Sequence, residues 1–132
     1  MTREDIFNGI KDCLVEVVDI NRADIHETSK LIDDLGADSL DLLDLIFQLE
    51  QRFKIKLSAR KFEKQIQKEL GDIPLEVEGV YTKEAMTLIR KHMTEIPEKE
   101  LCDGLTIQEF PKRFRVSTMI NLVESTLENK NE

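Results

Sequence analysis

The chain has 132 residues, 40% of them apolar and 35% charged, with 6 Phe, 1 Tyr and no Trp, which suits one small core. Its formal net charge of −8 disfavours nucleic acid and anionic membrane as partners. No window is apolar enough for a membrane span, and the opening MTREDIFNGIKD lacks an apolar signal region, so the expected location is cytoplasmic. Thr2 followed by Asp5 suits a helix start, and Ile6, Ile10, Cys13 or Leu14, and Val17 keep helical spacing, predicting a helix over about 3–18. Residues 19–37 show no sustained period and end near Gly36; they read as a long loop pinned by Leu31, Ile32 and Leu35. A second helix is predicted from Ser39 to about Arg52, with Asp38 as its N-cap. Its apolar positions Leu40, Leu42, Leu43, Leu45, Ile46, Phe47 and Leu49 exceed one stripe, so it is expected to be central and covered on several sides.

Ser58 can cap a third helix running to Leu70, with Ala59, Phe62, Ile66 and Leu70 as its apolar line and Gly71 as its stop. Residues 72–81 are ambiguous: Leu75 and Val77 alternate with Glu76 and Glu78 as in a strand, but Pro74 and Gly79 favour an ordered loop. Thr82 can cap a helix to about Thr94, with Ala85, Met86, Ile89 and Met93 on one face. Residues 95–114 read as connection with one helical turn, and Ser117 as the cap of a last helix carrying Met119, Ile120, Val123 and Leu127. Cys13 and Cys102 form no CxxC pair and read as two reduced thiols packed as small hydrophobes; His26 and His92 are isolated too, and the four lack metal-ligand spacing. Charge is uneven along the chain. Acids concentrate before residue 50, whereas Arg52, Lys54, Lys56, Arg60, Lys61, Lys64 and Lys68 meet only Glu63 and Glu69 within 51–70.

The stretch 33-DDLGADSLDLLDLIFQLEQRF-53 crowds Asp33, Asp34, Asp38, Asp41 and Asp44 around one hydroxyl, Ser39. A nucleophile elbow would need G-x-S-x-G between strand and helix, and nearby carboxylates would oppose a developing oxyanion, so catalysis by Ser39 is not expected. Serine is also an ordinary helix-cap residue. The run Leu35-Gly36-Ala37-Asp38-Ser39-Leu40-Asp41, with apolar helix positions ending in Leu49-Glu50 and Phe53, closely resembles the acyl carrier protein family.

That resemblance implies an all-α bundle that is not an enzyme. A 4'-phosphopantetheine arm is expected on Ser39, delivered from coenzyme A by a separate transferase, and acyl groups would be held on it as thioesters. It places Asp38, Asp41, Asp44 and Glu50 at partner-recognition positions. Leu31, Leu43, Phe47, Leu49, Phe53 and Ile55 fall on positions lining the acyl pocket or core. The implied partners are a phosphopantetheinyl transferase, an acyl ligase or synthase and an acyltransferase, and a monomer is expected. The resemblance covers 3–57 and 115–128 of a single carrier domain. The basic third helix (about 58–70) and an inserted segment (about 71–112) depart from it, so extra helix is expected before the last helix. The basic face of Lys61, Lys64 and Lys68 is assigned to partner recognition, and the departure points to a dedicated carrier in a specialised lipid pathway for fatty acid, lipid A or lipopolysaccharide. Two alternatives stand beside it: a carrier of aminoacyl or polyketide intermediates, and a helical interaction module without an arm. Asp41 and Asp44 are expected on an open polar face, where replacing both by Asn leaves stability nearly unchanged.

Overall fold

The computed structural model describes residues 1–57 and 59–130, the side chains of 59–61, 129 and 130 excepted. Its elements in chain order are α1 (Arg3–Val17), α2 (Ser39–Phe53), α3 (Ala59–Leu70), a two-residue pair β1 (Glu76–Val77) and β2 (Val80–Tyr81), α4 (Lys83–His92) and α5 (Val116–Lys130). Short 3-10 turns lie at Arg22–Asp24, Glu98–Glu100 and Phe110–Arg113. The protein is helical, with extra helix between α2 and the last helix, and the β1–β2 hairpin is its only sheet among the described residues.

Two compact units divide the chain: Met1–Leu57 with Phe114–Glu132, and Ser58–Arg113. In the first, α1 packs on both α2 and α5. Ile6, Ile10 and Leu14 of α1 meet in one core with Leu45 and Leu49 of α2 and Val116, Ile120 and Val123 of α5, all almost completely buried. Burying each such side chain is worth roughly 1.5–3 kcal/mol. Gly9 lets α1 and α2 approach closely, since a Cβ there would stand 2.6 Å from Phe53 Cζ.

The 19–37 loop is tied down by backbone bonds rather than by helix. Leu31 N–H donates to the Phe114 carbonyl, Val116 N–H to the Ser29 carbonyl and Ala37 N–H to the Leu31 carbonyl. Leu31, Leu35 and Ala37 are buried, and Gly36 supplies the positive φ of 78° that turns the chain into α2. At the far end Lys54 closes α2 in the left-handed region, and Glu50 accepts the Leu57 N–H at 3.0 Å.

In the second unit, Ile66 and Leu70 of α3, Tyr81, and Ala85, Met86 and Ile89 of α4 are buried, as are Met93, Ile96, Leu101, Leu105 and Phe110. Tyr81 meets Phe110 edge-on, with ring centroids 5.3 Å apart. Thr82 caps α4 by accepting the Ala85 N–H, and Gly71 takes a positive φ just after α3.

Several expectations are corrected. Residues 76–81 form a minimal hairpin, so strand and turn readings both apply: Val77 pairs with Val80 around Glu78-Gly79, both at positive φ. The 95–114 connection holds two short turns, not one. Helix α5 begins at Val116, before Ser117, because Arg115 N–H is taken by the Thr118 hydroxyl; Ser117 is an interior first-turn residue. Cys13 is buried as a packed thiol, but Cys102 is exposed. The cap assigned to Ser58 lies outside the described residues.

Candidate functional site

Ser39 is the first residue of α2 and is exposed. Its place is fixed by the residues on either side. Asp38 accepts the Asp41 N–H at 2.8 Å and Asp41 accepts the Asp38 N–H at 3.0 Å, a reciprocal cap that satisfies two otherwise orphaned donors. Behind it, the buried Leu35 and Ala37 hold the incoming chain to the core. The hydroxyl therefore stands at the positive end of the helix dipole on a firm mount, and the two nearest carboxylates, Asp38 and Asp41, are taken up by the cap. Such a mount presents a hydroxyl to an outside reagent and does not activate it.

Helix α2 has two apolar faces, and only one is covered. Leu45, Leu49 and Phe53 are buried, with Leu42 and Ile46 partly so. Leu40, Leu43 and Phe47 are 74%, 65% and 59% exposed, and their spacing of i, i+3 and i+7 puts them on one side. The assignment of Leu43 and Phe47 to pocket or core is corrected: they are bare, because the helix carries more apolar side chains than its packed side can cover. Leu31, Leu49, Phe53 and Ile55 lie in the core. The expectation that α2 is covered on several sides fails for the same reason.

The acids do different things. Asp33, Asp38 and Asp44 are exposed, and Asp44 accepts a long 3.5 Å bond from Gln48. Asp34 accepts the Lys30 N–H at 2.8 Å. Asp41 is half-buried and serves the cap, so the open polar face expected of it is corrected. Glu50 is turned to the Leu57 N–H and closes the end of α2, a structural duty that sequence spacing did not show. Lys64 and Lys68 are exposed on α3; the Lys61 side chain lies outside the described residues. The bare α2 face beside Ser39, Leu40 included, is the feature that sequence reasoning missed, and the excess of apolar positions over one stripe was its signal.

An exposed serine on a capped helix, flanked by carboxylates and bare apolar side chains, suits a residue that other proteins modify and a face that they bind. Residues 8–75 match a family model described as a phosphopantetheine attachment site, a stretch that contains Ser39 and all of α2. The chain is 43% identical over 63 residues to the acyl carrier protein of Thermotoga maritima, covering 48% of this chain and 78% of that relative. It is 33% identical over 75 residues to the acyl carrier protein of Campylobacter fetus, covering 57% and 95%. With the acyl carrier protein AcpXL of Rhizobium etli it shares 40% identity over 60 residues, covering 46% and 65%. The chain belongs to the acyl carrier protein family. It is a carrier and not an enzyme, its cofactor is covalently attached 4'-phosphopantetheine, and its class of partner is the phosphopantetheinyl transferase and acyl-processing enzymes. The head of α2 fits such a group, with an exposed hydroxyl and a helix dipole that favours a phosphodiester. Among the described residues no helix is long and apolar enough to cross a membrane.

Proposed function

We propose that Ser39 carries the arm, and that the face of Leu40, Leu43 and Phe47, with Asp38 and Asp44 beside it, is where the transferase and acyl-processing enzymes dock. The observation that carries this reading is the exposure of Ser39 at the first residue of a capped α2, inside the matched stretch. The carboxylates raise encounter rates with basic partners, and the bare apolar side chains supply contact area once docked. Asp41 contributes charge in addition to its cap, whereas Glu50 is engaged in the fold. Intact-mass spectrometry after incubation with coenzyme A and a broad-specificity phosphopantetheinyl transferase tests the site. One arm is expected on the parent and none on Ser39→Ala; an arm on the variant refutes it.

The cargo we propose is acyl, in a specialised lipid pathway supplying fatty acid, lipid A or lipopolysaccharide. Its support is the stretch from residue 76 to Arg113, a large addition beyond the residues that the carrier family model matches. The proposed working form is a cytoplasmic monomer. Releasing and weighing the thioester-bound group from protein purified with its native enzymes tests the cargo; an aminoacyl or polyketide group would replace this reading with the alternative one.

A further inference from the structure

On α3, Ile66 and Leu70 are buried and Phe62 is half-buried, while Lys64 and Lys68 are exposed. At 3.6 residues per turn both lysines lie about 160° around the helix from Ile66, so they occupy the opposite side. The two acids of α3 are turned to other work. Glu69 reaches His92 at 2.7 Å, and Glu63 is half-buried and near enough to Tyr81 to act on its phenol. The two arginines with described side chains are engaged, Arg90 donating to the Leu101 carbonyl at 2.7 Å and Arg113 to the Glu100 carbonyl at 3.0 Å, whereas Lys83, Lys91, Lys99 and Lys112 are exposed singly and do not share one helix face four residues apart as Lys64 and Lys68 do. Among the described residues Lys64 and Lys68 make neither a hydrogen bond nor an ion pair. In a chain with 27 acids against 19 bases, two aligned lysines with no carboxylate partner among the described residues form an open, single-sign surface.

We infer that this Lys64/Lys68 face is a second docking surface whose occupant is an acidic patch on a protein that loads or unloads the arm; the inference rests on the carrier reading above. The size of the stripe selects that occupant. Four residues of helix span about 6 Å, shorter than the Debye length of ~8 Å at physiological salt. A membrane plane or a nucleic-acid duplex carries its charge over a far wider span than this stripe and would also meet the unit's own carboxylates, since residues 58–113 hold 11 acids against 10 bases. A local acidic patch, such as two turns of an acidic helix, can meet the stripe alone.

Amide chemical-shift mapping at physiological salt tests this, using the full chain and a helical peptide with glutamates at i, i+3 and i+4 spacing. A matched glutamine peptide, vesicles of equal parts phosphatidylglycerol and phosphatidylcholine, and a short DNA duplex are the other arms. Shifts clustered on α3 with the glutamate peptide alone are expected. Reversing both charges (Lys64→Glu with Lys68→Glu) is expected to weaken binding about tenfold or more. Shifts spread equally over Lys83, Lys91 and Lys112, an unaffected double variant, or tighter binding of vesicles or duplex would each overturn the proposal. Arm attachment to the double variant is weighed in parallel. Normal loading, or loss of loading in the variant alone, supports the inference, the latter by putting the transferase itself on α3. If the parent also takes no arm, the carrier reading falls, and with it the identification of the occupant.

Discussion

Asp38 and Asp41 each accept the other's backbone N–H, at 2.8 and 3.0 Å, so the two carboxylates nearest Ser39 build the helix start that holds it. Asp44, one turn on, has no such duty. The three acids should therefore separate by mutation. Asp38→Ala is expected to cost about 1 kcal/mol of stability, and Asp41→Ala a similar amount or less. Asp44→Asn should stay within roughly 0.5 kcal/mol. Urea unfolding followed on α2 amides checks the order, and equal costs for all three would remove the cap argument.

Gly9→Ala is expected to destabilise the first unit despite the better helix propensity of alanine. The new Cβ would stand 2.6 Å from Phe53 Cζ and 2.9 Å from Arg52 Nε. Arg52 can yield, but Phe53 is buried and its ring has little room. Overpacking costs of about 1–3 kcal/mol outweigh a propensity gain of about 1 kcal/mol. Adding Phe53→Leu should recover part of the loss; a Gly9→Ala protein as stable as the parent would show that the helices can move apart freely.

Tyr81 gives the second unit an alkaline limit. Burial, with Glu63 and Glu76 adding to it, pushes its phenol up to about 12 from an ordinary value near 10. The folded state thus holds the proton more tightly than the unfolded one. Its contribution is complete below about pH 10 and is lost as pH rises from 10 towards 12. Since Tyr81 is the chain's single tyrosine, phenolate absorbance reports on this group alone. Denaturant midpoints of the second unit should fall between pH 10 and 12 in the parent and fall less in Tyr81→Phe. A phenol that titrates near 10 in the folded protein would contradict this.

Glu78 sits at φ 53° in the hairpin between β1 and β2, followed by Gly79 at φ 83°. Glutamate tolerates the left-handed region poorly, whereas Asn and Gly favour it in two-residue hairpin turns. Glu78→Asn is expected to stabilise the second unit by roughly 0.5–1 kcal/mol. Slower amide exchange at Val80 and Tyr81 would register the gain, and faster exchange would show that the Glu78 side chain supports the turn.

The helices were legible in the sequence because their caps and apolar periods agree: Thr2, Asp38 and Thr82 each cap the helix that follows. The head of α2, with Asp38 as its cap, was visible for the same reason. The bare face of Leu40, Leu43 and Phe47 was not, since periodicity identifies apolar positions without saying which of them another element covers. The double use of Asp41 and the engagement of Glu50 depend on side-chain direction and on a residue seven positions away, neither of which spacing reveals. The hairpin was half-hidden because Glu78-Gly79 lacks the asparagine that usually announces such a turn.

The first unit is assembled from Met1–Leu57 and Phe114–Glu132, with the whole of Ser58–Arg113 between its halves. During synthesis the helix bearing Ser39 is complete long before Val116, Ile120 and Val123 exist to finish its core. The second unit, being contiguous, can fold first. Closing a flexible connection of that length costs about 3–4 kcal/mol of chain entropy, and a connection already folded leaves less freedom to lose. The Ser58–Arg113 unit thus acts as a timer: how early Ser39 gains a settled mount depends on how quickly residues 58–113 fold.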